Sequence, residues 1–225
     1  MIGIIAAMDV EVEAIESVAN IQGTKTIAGV QLDHGTIGGK DVVIGKSGIG
    51  KSTAAMTTAI MCMEYDLEAL INVGTAGGLK EDEQVLDIVI SDEVVQADFD
   101  TSPIDGTAGI GLVYPVDANM TASCAKAAEA VGIRYHVGTI ASQDLFMARP
   151  EDFEKLMSRF PQSACSEMEG GAIAQVATSF QVLFVIVRCL SDVVHHTDNP
   201  MEFSEYAEKA SQQTAKLIRS WIEAR

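Results

Sequence analysis

The chain has 225 residues, 48% hydrophobic and 21% charged, and 32 acidic against 15 basic side chains leave a formal net charge of -17. That length and apolar content suit one globular domain spanning 1–225 with a substantial core, and no Pro/Ser/Gly-rich linker divides it. The acidity argues against docking on duplex nucleic acid or anionic lipid, whose phosphates attract basic surfaces, and favours a neutral or cationic small-molecule partner.

Taken in chain order, short apolar runs alternate with amphipathic stretches, the pattern of an α/β layer architecture rather than a helix bundle or a sheet sandwich. Strands are predicted at Ile2 to Ala7, Val30 to Gly35, Asp41 to Gly45, Ala69 to Val73, Asp87 to Val95, Tyr135 to Ile140 and Leu183 to Leu190. Helices are predicted at Val10 to Val18 behind Asp9 as N-cap, and at Ser52 to Tyr65, Ala118 to Val131, Glu151 to Phe160, Gly170 to Phe180 and Pro200 to Arg225. The strands near Val30 and Val43 have no helix between them, so the sheet is expected to be mixed and to contain a hairpin. Met1 to Met8 lacks a basic flank and breaks at Asp9, far short of a signal peptide or membrane span, which points to a cytoplasmic protein. Cys62, Cys124, Cys165 and Cys189 are widely spaced, so reduced thiols are expected rather than a zinc site or a disulfide framework.

Three acids stand where strand-like runs end: Glu11 after Ile2 to Met8, Glu169 within Ser166-Glu167-Met168-Glu169-Gly170-Gly171, and Asp192 closing Val185 to Asp192. Open α/β sheets bind ligands beyond the carboxyl ends of their strands, so the three could share one cleft. Each also has a structural reading. Glu11 with Asp9 and Glu13 would favour a helix N-terminus, Glu169 the first turn of the following helix, and Asp192 the N-cap of a turn. Phe146 and Met168 read as core by default, and His195 and His196 as solvated loop residues. Arg188 lies inside an apolar strand, where a buried guanidinium needs a partner.

Two glycine-rich segments compete for attention. Gly45-Lys46-Ser47-Gly48-Ile49-Gly50-Lys51-Ser52 satisfies the P-loop pattern between a strand and a helix, where backbone amides and a helix N-terminus would cradle phosphate. Ser91-Asp92-Glu93 imitates a magnesium-binding strand end, but no base-recognition or switch segment accompanies it. Asn72-Val73-Gly74-Thr75-Ala76-Gly77-Gly78-Leu79 reads, taken alone, as a turn.

Read together, Gly3-Ile4-Ile5-Ala6-Ala7-Met8 with Glu11, Lys46-Ser47-Gly48-Ile49-Gly50-Lys51, Thr75-Ala76-Gly77-Gly78, Ser142-Gln143-Asp144-Leu145-Phe146, Glu167-Met168-Glu169 and Arg188-Cys189-Leu190-Ser191-Asp192 resemble, in this order, the 5'-methylthioadenosine/S-adenosylhomocysteine nucleosidases of the purine nucleoside phosphorylase superfamily. The resemblance covers nearly the whole chain and displaces the P-loop reading. It implies a nucleoside phosphorylase-like three-layer α/β/α fold, a homodimer, no cofactor or metal, and an adenine nucleoside substrate. By the same resemblance, Asp192 is the acid at adenine N7 and Glu11 the base for water. Glu169 and Met168 meet the ribose, Arg188 the water, Phe146 and the Met147 backbone the adenine, Ser191 orients Asp192, Met8 and Ile49 line the ribose and 5' side, and Thr75 and Gly77 contact substrate. The chemistry suits those residue types independently of the family. Breaking an N-glycosidic bond builds positive charge on ribose and negative charge on the base, so it needs an acid, an activated water and a grip on the sugar.

Departures from the family pattern are Gln143 for the usual Gly, Thr75 for Ser, Leu183 for Pro, and Ala97 for the His before Asp98. The last opens the preference for the 5' substituent, methylthio, homocysteinyl or that of aminodeoxyfutalosine. Phosphorolysis at the Ser47-Gly48-Ile49-Gly50 turn is the alternative within the superfamily, although only Arg188 is an obvious anion partner. A P-loop NTPase or nucleotide-binding regulatory module is the alternative from another class.

Overall fold

A computed structural model describes residues 1–194 and 203–225. The described residues form β1 (Ile2–Ala6), α1 (Asp9–Glu16), β2 (Asn20–Ile27), β3 (Val30–Ile37), β4 (Lys40–Lys46), α2 (Lys51–Glu64), β5 (Ala69–Gly78) and β6 (Ile88–Asp100). They continue with α3 (Ser102–Asp105), a 3-10 turn (Gly106–Gly109), β7 (Ile110–Pro115), α4 (Ala118–Ala130), β8 (Tyr135–Ser142), α5 (Pro150–Arg159), β9 (Ser163–Glu167), α6 (Gly170–Phe180), β10 (Leu183–Val193) and α7 (Phe203–Glu223).

The ten strands make one mixed sheet, ordered β10-β6-β8-β9-β5-β1-β4-β3-β2, with β7 on β6. β1 lies parallel between β4 and β5, while β3 pairs antiparallel with both β2 and β4, the expected hairpin among them. β5 also pairs in parallel with β10, and its last two residues, Gly77 and Gly78, pair with β9. Pairings therefore run in a ring through β5, β10, β6, β8 and β9.

Side chains on successive strand residues point to opposite faces, and here both faces are covered. Ile2, Ile4, Ile71, Val185 and Val187 pack with α1, α4 and α7 around the fully buried Trp221, whereas Ile5, Val43, Leu70, Ile186 and Leu190 pack with α2 and α6. Apolar residues needed on both faces explain why these strands read as unbroken hydrophobic runs.

Several expectations are corrected. Met8, not Asp9, is the N-cap of α1, because Asp9 already has helical geometry. The segment from Thr75 to Gly78 is no turn: it continues β5, since β9 and β10 supply partners for its backbone. β8 likewise runs on to Ser142 by pairing with β6 up to Gln96, and β6 runs on to Asp100, which pairs with Ile110 of β7. β2 and β7 were not predicted, being polar or half-exposed at the sheet margins, and β9 shows in the sequence only as the approach to Glu169. His195, His196 and the first residues of the predicted terminal helix lie outside the described residues.

Candidate active site

Beyond the carboxyl ends of β1, β5, β9 and β10 lies a cleft of about 160 Å³. The β1–α1 junction brings Met8 and Glu11 to it, the turn before α2 brings Ile49, and β5 brings Thr75 and Gly77. Phe146 and Met147 come from the loop before α5, Met168 and Glu169 from the β9–α6 junction, and Arg188, Ser191 and Asp192 from β10. All twelve residues singled out in the sequence thus border one cavity, together with Ala7, Ala76, Leu145, Ser166, Glu167 and Val194.

Glu11 is buried in the first turn of α1, so its structural reading holds alongside its place in the cleft. Its Oε2 accepts from the amides of Ala7 (3.0 Å) and Met8 (2.9 Å), and its Oε1 from the Thr75 amide (3.0 Å) and hydroxyl (3.4 Å). Both carboxylate oxygens of Glu11 are thus engaged by donors of its own chain.

Arg188 is buried at the cleft floor. Its Nη2 donates to Glu167 and Asn72 and lies 3.4 Å from Glu169 Oε2. Burial opposes its charge, but Glu167, Glu169 and Glu11 more than restore it. Gly74 makes the room: a Cβ there would sit 2.0 Å from Arg188 Nη1 and 3.0 Å from Glu11 Oε1. Glu167 Oε2 also accepts the Glu169 (2.9 Å) and Gly170 (2.7 Å) amides at the start of α6, and Oε1 accepts from Ser142 Oγ. Glu169 is the N-cap residue of α6 rather than part of its first turn. Burial pushes its carboxyl up to about 7 against the pull of Arg188, with Glu167 and Glu11 adding repulsion.

Asp192 sits within β10 just past a bulge, so it is not the N-cap of a turn. An extra residue at a bulge re-aims the side chains beside it, here towards Gly77, whose Cβ position is 3.2 Å from Asp192 Oδ2. Asp192 is exposed and lines the cleft. Desolvation raises its pKa, and the single bond from Ser191 Oγ to Oδ1 (2.8 Å) only partly offsets this. Glu11 and Asp192 border β5 near Gly74 and Gly77, three residues apart and on the order of 10 Å along a strand.

The P-loop-like turn is already occupied by protein. Gly50 N donates to Glu169 Oε1 (2.9 Å), Lys51 N to Asp144 Oδ1 (2.8 Å), and the Lys51 ammonium to Asp98. With these donors committed to carboxylates, the turn does not present a phosphate cradle. Against the default reading of both as core residues, Phe146 is 63% exposed at the cleft rim, while Met168 is half-buried.

Glu167, Asn72, Ser142 and Gly74 were not singled out as site residues. A signal for Glu167 existed: the buried Arg188 demands an anion, and Glu167 stands in the same motif as Glu169. Gln143, where the family has Gly, buries an amide nitrogen that has no hydrogen-bond partner. Among the described residues, no group of three or more His, Cys, Asp or Glu is arranged to hold a metal ion, and no helix is long and apolar enough to cross a membrane.

Residues 1–223 match the model of the phosphorylase superfamily. A 5'-methylthioadenosine/S-adenosylhomocysteine nucleosidase of Halalkalibacterium halodurans is 40% identical over 221 residues, covering 96% of this chain and 95% of that protein. The nucleosidase of that name from Colwellia psychrerythraea, solved in complex with adenine, superposes with a TM-score of 0.91 at 33% identity, over 98% of this chain and 93% of the other. Futalosine hydrolase of Helicobacter pylori has the same TM-score at 28% identity, over 100% and 97% of the two chains.

Proposed function

Since the chain belongs to the phosphorylase superfamily, and within it to the 5'-methylthioadenosine/S-adenosylhomocysteine nucleosidases, we propose that it hydrolyses the N-glycosidic bond of 5'-thio-substituted adenosines and releases adenine. One observation carries the mechanism: two carboxyl groups border one cleft in opposite electrostatic settings, Glu11 held by four donors and Asp192 desolvated with one.

Asp192, protonated, gives its proton to N7 as the bond between C1' and N9 breaks and its electron pair passes to the purine. Glu11 takes a proton from the water that adds to C1' on the opposite face. Each such step contributes typically ~10²–10⁴ in rate. Glu169 receives the ribose hydroxyls, with one oxygen already fixed by Gly50 N, and Arg188 steadies the water. Phe146 stacks on adenine, the Met147 backbone reads its edge, Met168 packs on the sugar, and Met8 and Ile49 line the 5' side. Thr75 and Gly77 complete the substrate wall, and Ser191 orients Asp192.

The occupied turn and the lack of a second cleft arginine among the described residues favour water over phosphate as nucleophile. The same reading includes a homodimer, to be checked by solution mass, in a cytoplasmic nucleoside-salvage role. The test is incubation with methylthioadenosine in phosphate-free buffer: adenine and free methylthioribose are expected. A strict phosphate requirement, or no adenine at all, would overturn the reading. Running adenosylhomocysteine and aminodeoxyfutalosine in parallel decides the 5' substituent, which the likeness to futalosine hydrolase keeps in competition.

A further inference from the structure

Three segments that do not touch in sequence meet beside the cleft: the turn from Ser47 to Lys51, the end of β6 from Gln96 to Asp98, and the loop from Gln143 to Met147. Their contacts close a ring. Lys51 Nζ donates to Asp98 Oδ1 and, at 3.3 Å, to Gln96 Oε1. Asp98 Oδ2 accepts the Asp144 amide at 2.9 Å, and Asp144 Oδ1 accepts the Lys51 amide at 2.8 Å. Lys51, Asp98 and Asp144 do not line the cleft, but their neighbours do: Ile49 lies two residues from Lys51, and Leu145 and Phe146 directly follow Asp144.

We propose that Lys51 is a positioning residue: its ammonium, bridged by Asp98 to the Asp144 backbone, sets how far the Ile49 wall stands from the Phe146 wall. Ile49 and Phe146 are the most exposed of the cleft's large apolar side chains, 59% and 63%, and both stand on the backbone segments that the ring joins. The ring supplies that constraint, and the neighbouring bond from Gly50 N to Glu169 ties it to the ribose end. A lysine that the sequence pattern assigns to phosphate thereby acquires a different task, gripping two walls around a neutral nucleoside. The P-loop spacing follows because the same tight turn presents consecutive amides and a lysine, here to carboxylates of its own chain.

This inference rests on the nucleosidase reading, and its test separates the two. Lys51→Met, Lys51→Arg, Asp98→Asn and the double variant Lys51→Met with Asp98→Asn are assayed with methylthioadenosine and titrated with adenine. Lys51→Met should raise KM and the adenine Kd about tenfold with kcat within about threefold, and Lys51→Arg should recover most of that loss. The double variant should be no worse than the poorer single one, because both break one ring. A partly exposed ion pair stabilises little, so Tm should fall by less than about 4 °C.

A merely structural lysine would lower Tm and active fraction while leaving KM in place. That result, fully additive single effects, or wild-type binding of MgATP that Lys51→Met abolishes would overturn the proposal. Should Lys51→Met fail to fold, Asp98→Asn alone decides by the same split between KM and kcat. Failure of the nucleosidase reading is visible in the wild type, which would release no adenine. Failure of the ring is visible only in the variants.

Discussion

Glu11 and Asp192 are both carboxylates at the mouth of one mixed sheet, yet the protein treats them differently. Glu11 is reached by the amides of Ala7 and Met8 just past β1, and by the amide and hydroxyl of Thr75 within β5, so the chain itself supplies its donors. Asp192 loses water without gaining comparable donors; Ser191 is its one hydrogen-bonding side chain among the described residues. The lesson is that burial alone does not assign an acid or a base. What separates them is how many fixed donors replace the lost water, and the proposed division of labour between a proton donor and a proton acceptor rests on that difference.

The sharpest way to break this comparison is to remove one charge state at a time. Asp192→Asn and Glu11→Gln should each lower kcat ~10²–10⁴-fold while adenine still binds. Steady-state assays with adenine titrations check this, and near-normal turnover in either variant would end the division of labour.

Next in size is the buried cation that Glu167 and Glu169 share as a neighbour. Arg188→Met leaves Glu167 and Glu169 buried without their counter-ion, which should cost about 3–5 kcal/mol of stability. Urea unfolding at neutral pH measures it, and a loss below about 1 kcal/mol would mean the cluster is not held by charge.

Glu169 sharpens the comparison through pH. Its carboxyl is raised to about 7 by burial, so the folded state binds its proton more tightly than the unfolded chain does. The associated stabilisation is fully present below the unfolded carboxylate range near 4.5 and is lost as pH rises through about 7. Glu169→Gln, which cannot ionise, should therefore improve in Tm relative to wild type between pH 5 and pH 8. Thermal melts at both values suffice, and a constant difference would refute the linkage.

The smallest effect concerns the lone donor to Asp192. Ser191→Ala removes a bond that favours the carboxylate, so the Asp192 pKa should rise further and the alkaline limb of kcat should move up by up to about one pH unit. A limb that moves down would show that Ser191 stabilises the protonated form.

Much of the fold was legible because buried strands must be apolar on both faces: β1, β4, β5 and β10 announce themselves as runs such as Ile2 to Ala6, and α2 and α4 by spacing. β2 and β7 were not legible, since a strand at a sheet margin needs little apolar surface. The glycine segment after Asn72 misled because glycine has weak strand preference by itself, while two neighbouring strands were waiting to pair with it. At the site, the family resemblance rather than local pattern singled out Phe146, Met147 and Met168. Glu167 escaped because its partner, Arg188, lies 21 positions away.

The order of residues along the chain by itself determined the layered α/β plan, the mixed sheet, the acidic character and the three acids that stand where strand-like runs end. Tertiary structure alone decided the ring of pairings through β5 and β10, the bulge that aims Asp192, the donors gathered on Glu11 and the reassignment of the Lys51 turn from phosphate to carboxylates. The reason is physical: strand and helix preferences act over a few neighbouring residues, whereas charge states and aim depend on which distant amides, carboxylates and guanidinium groups come within about 3 Å after folding.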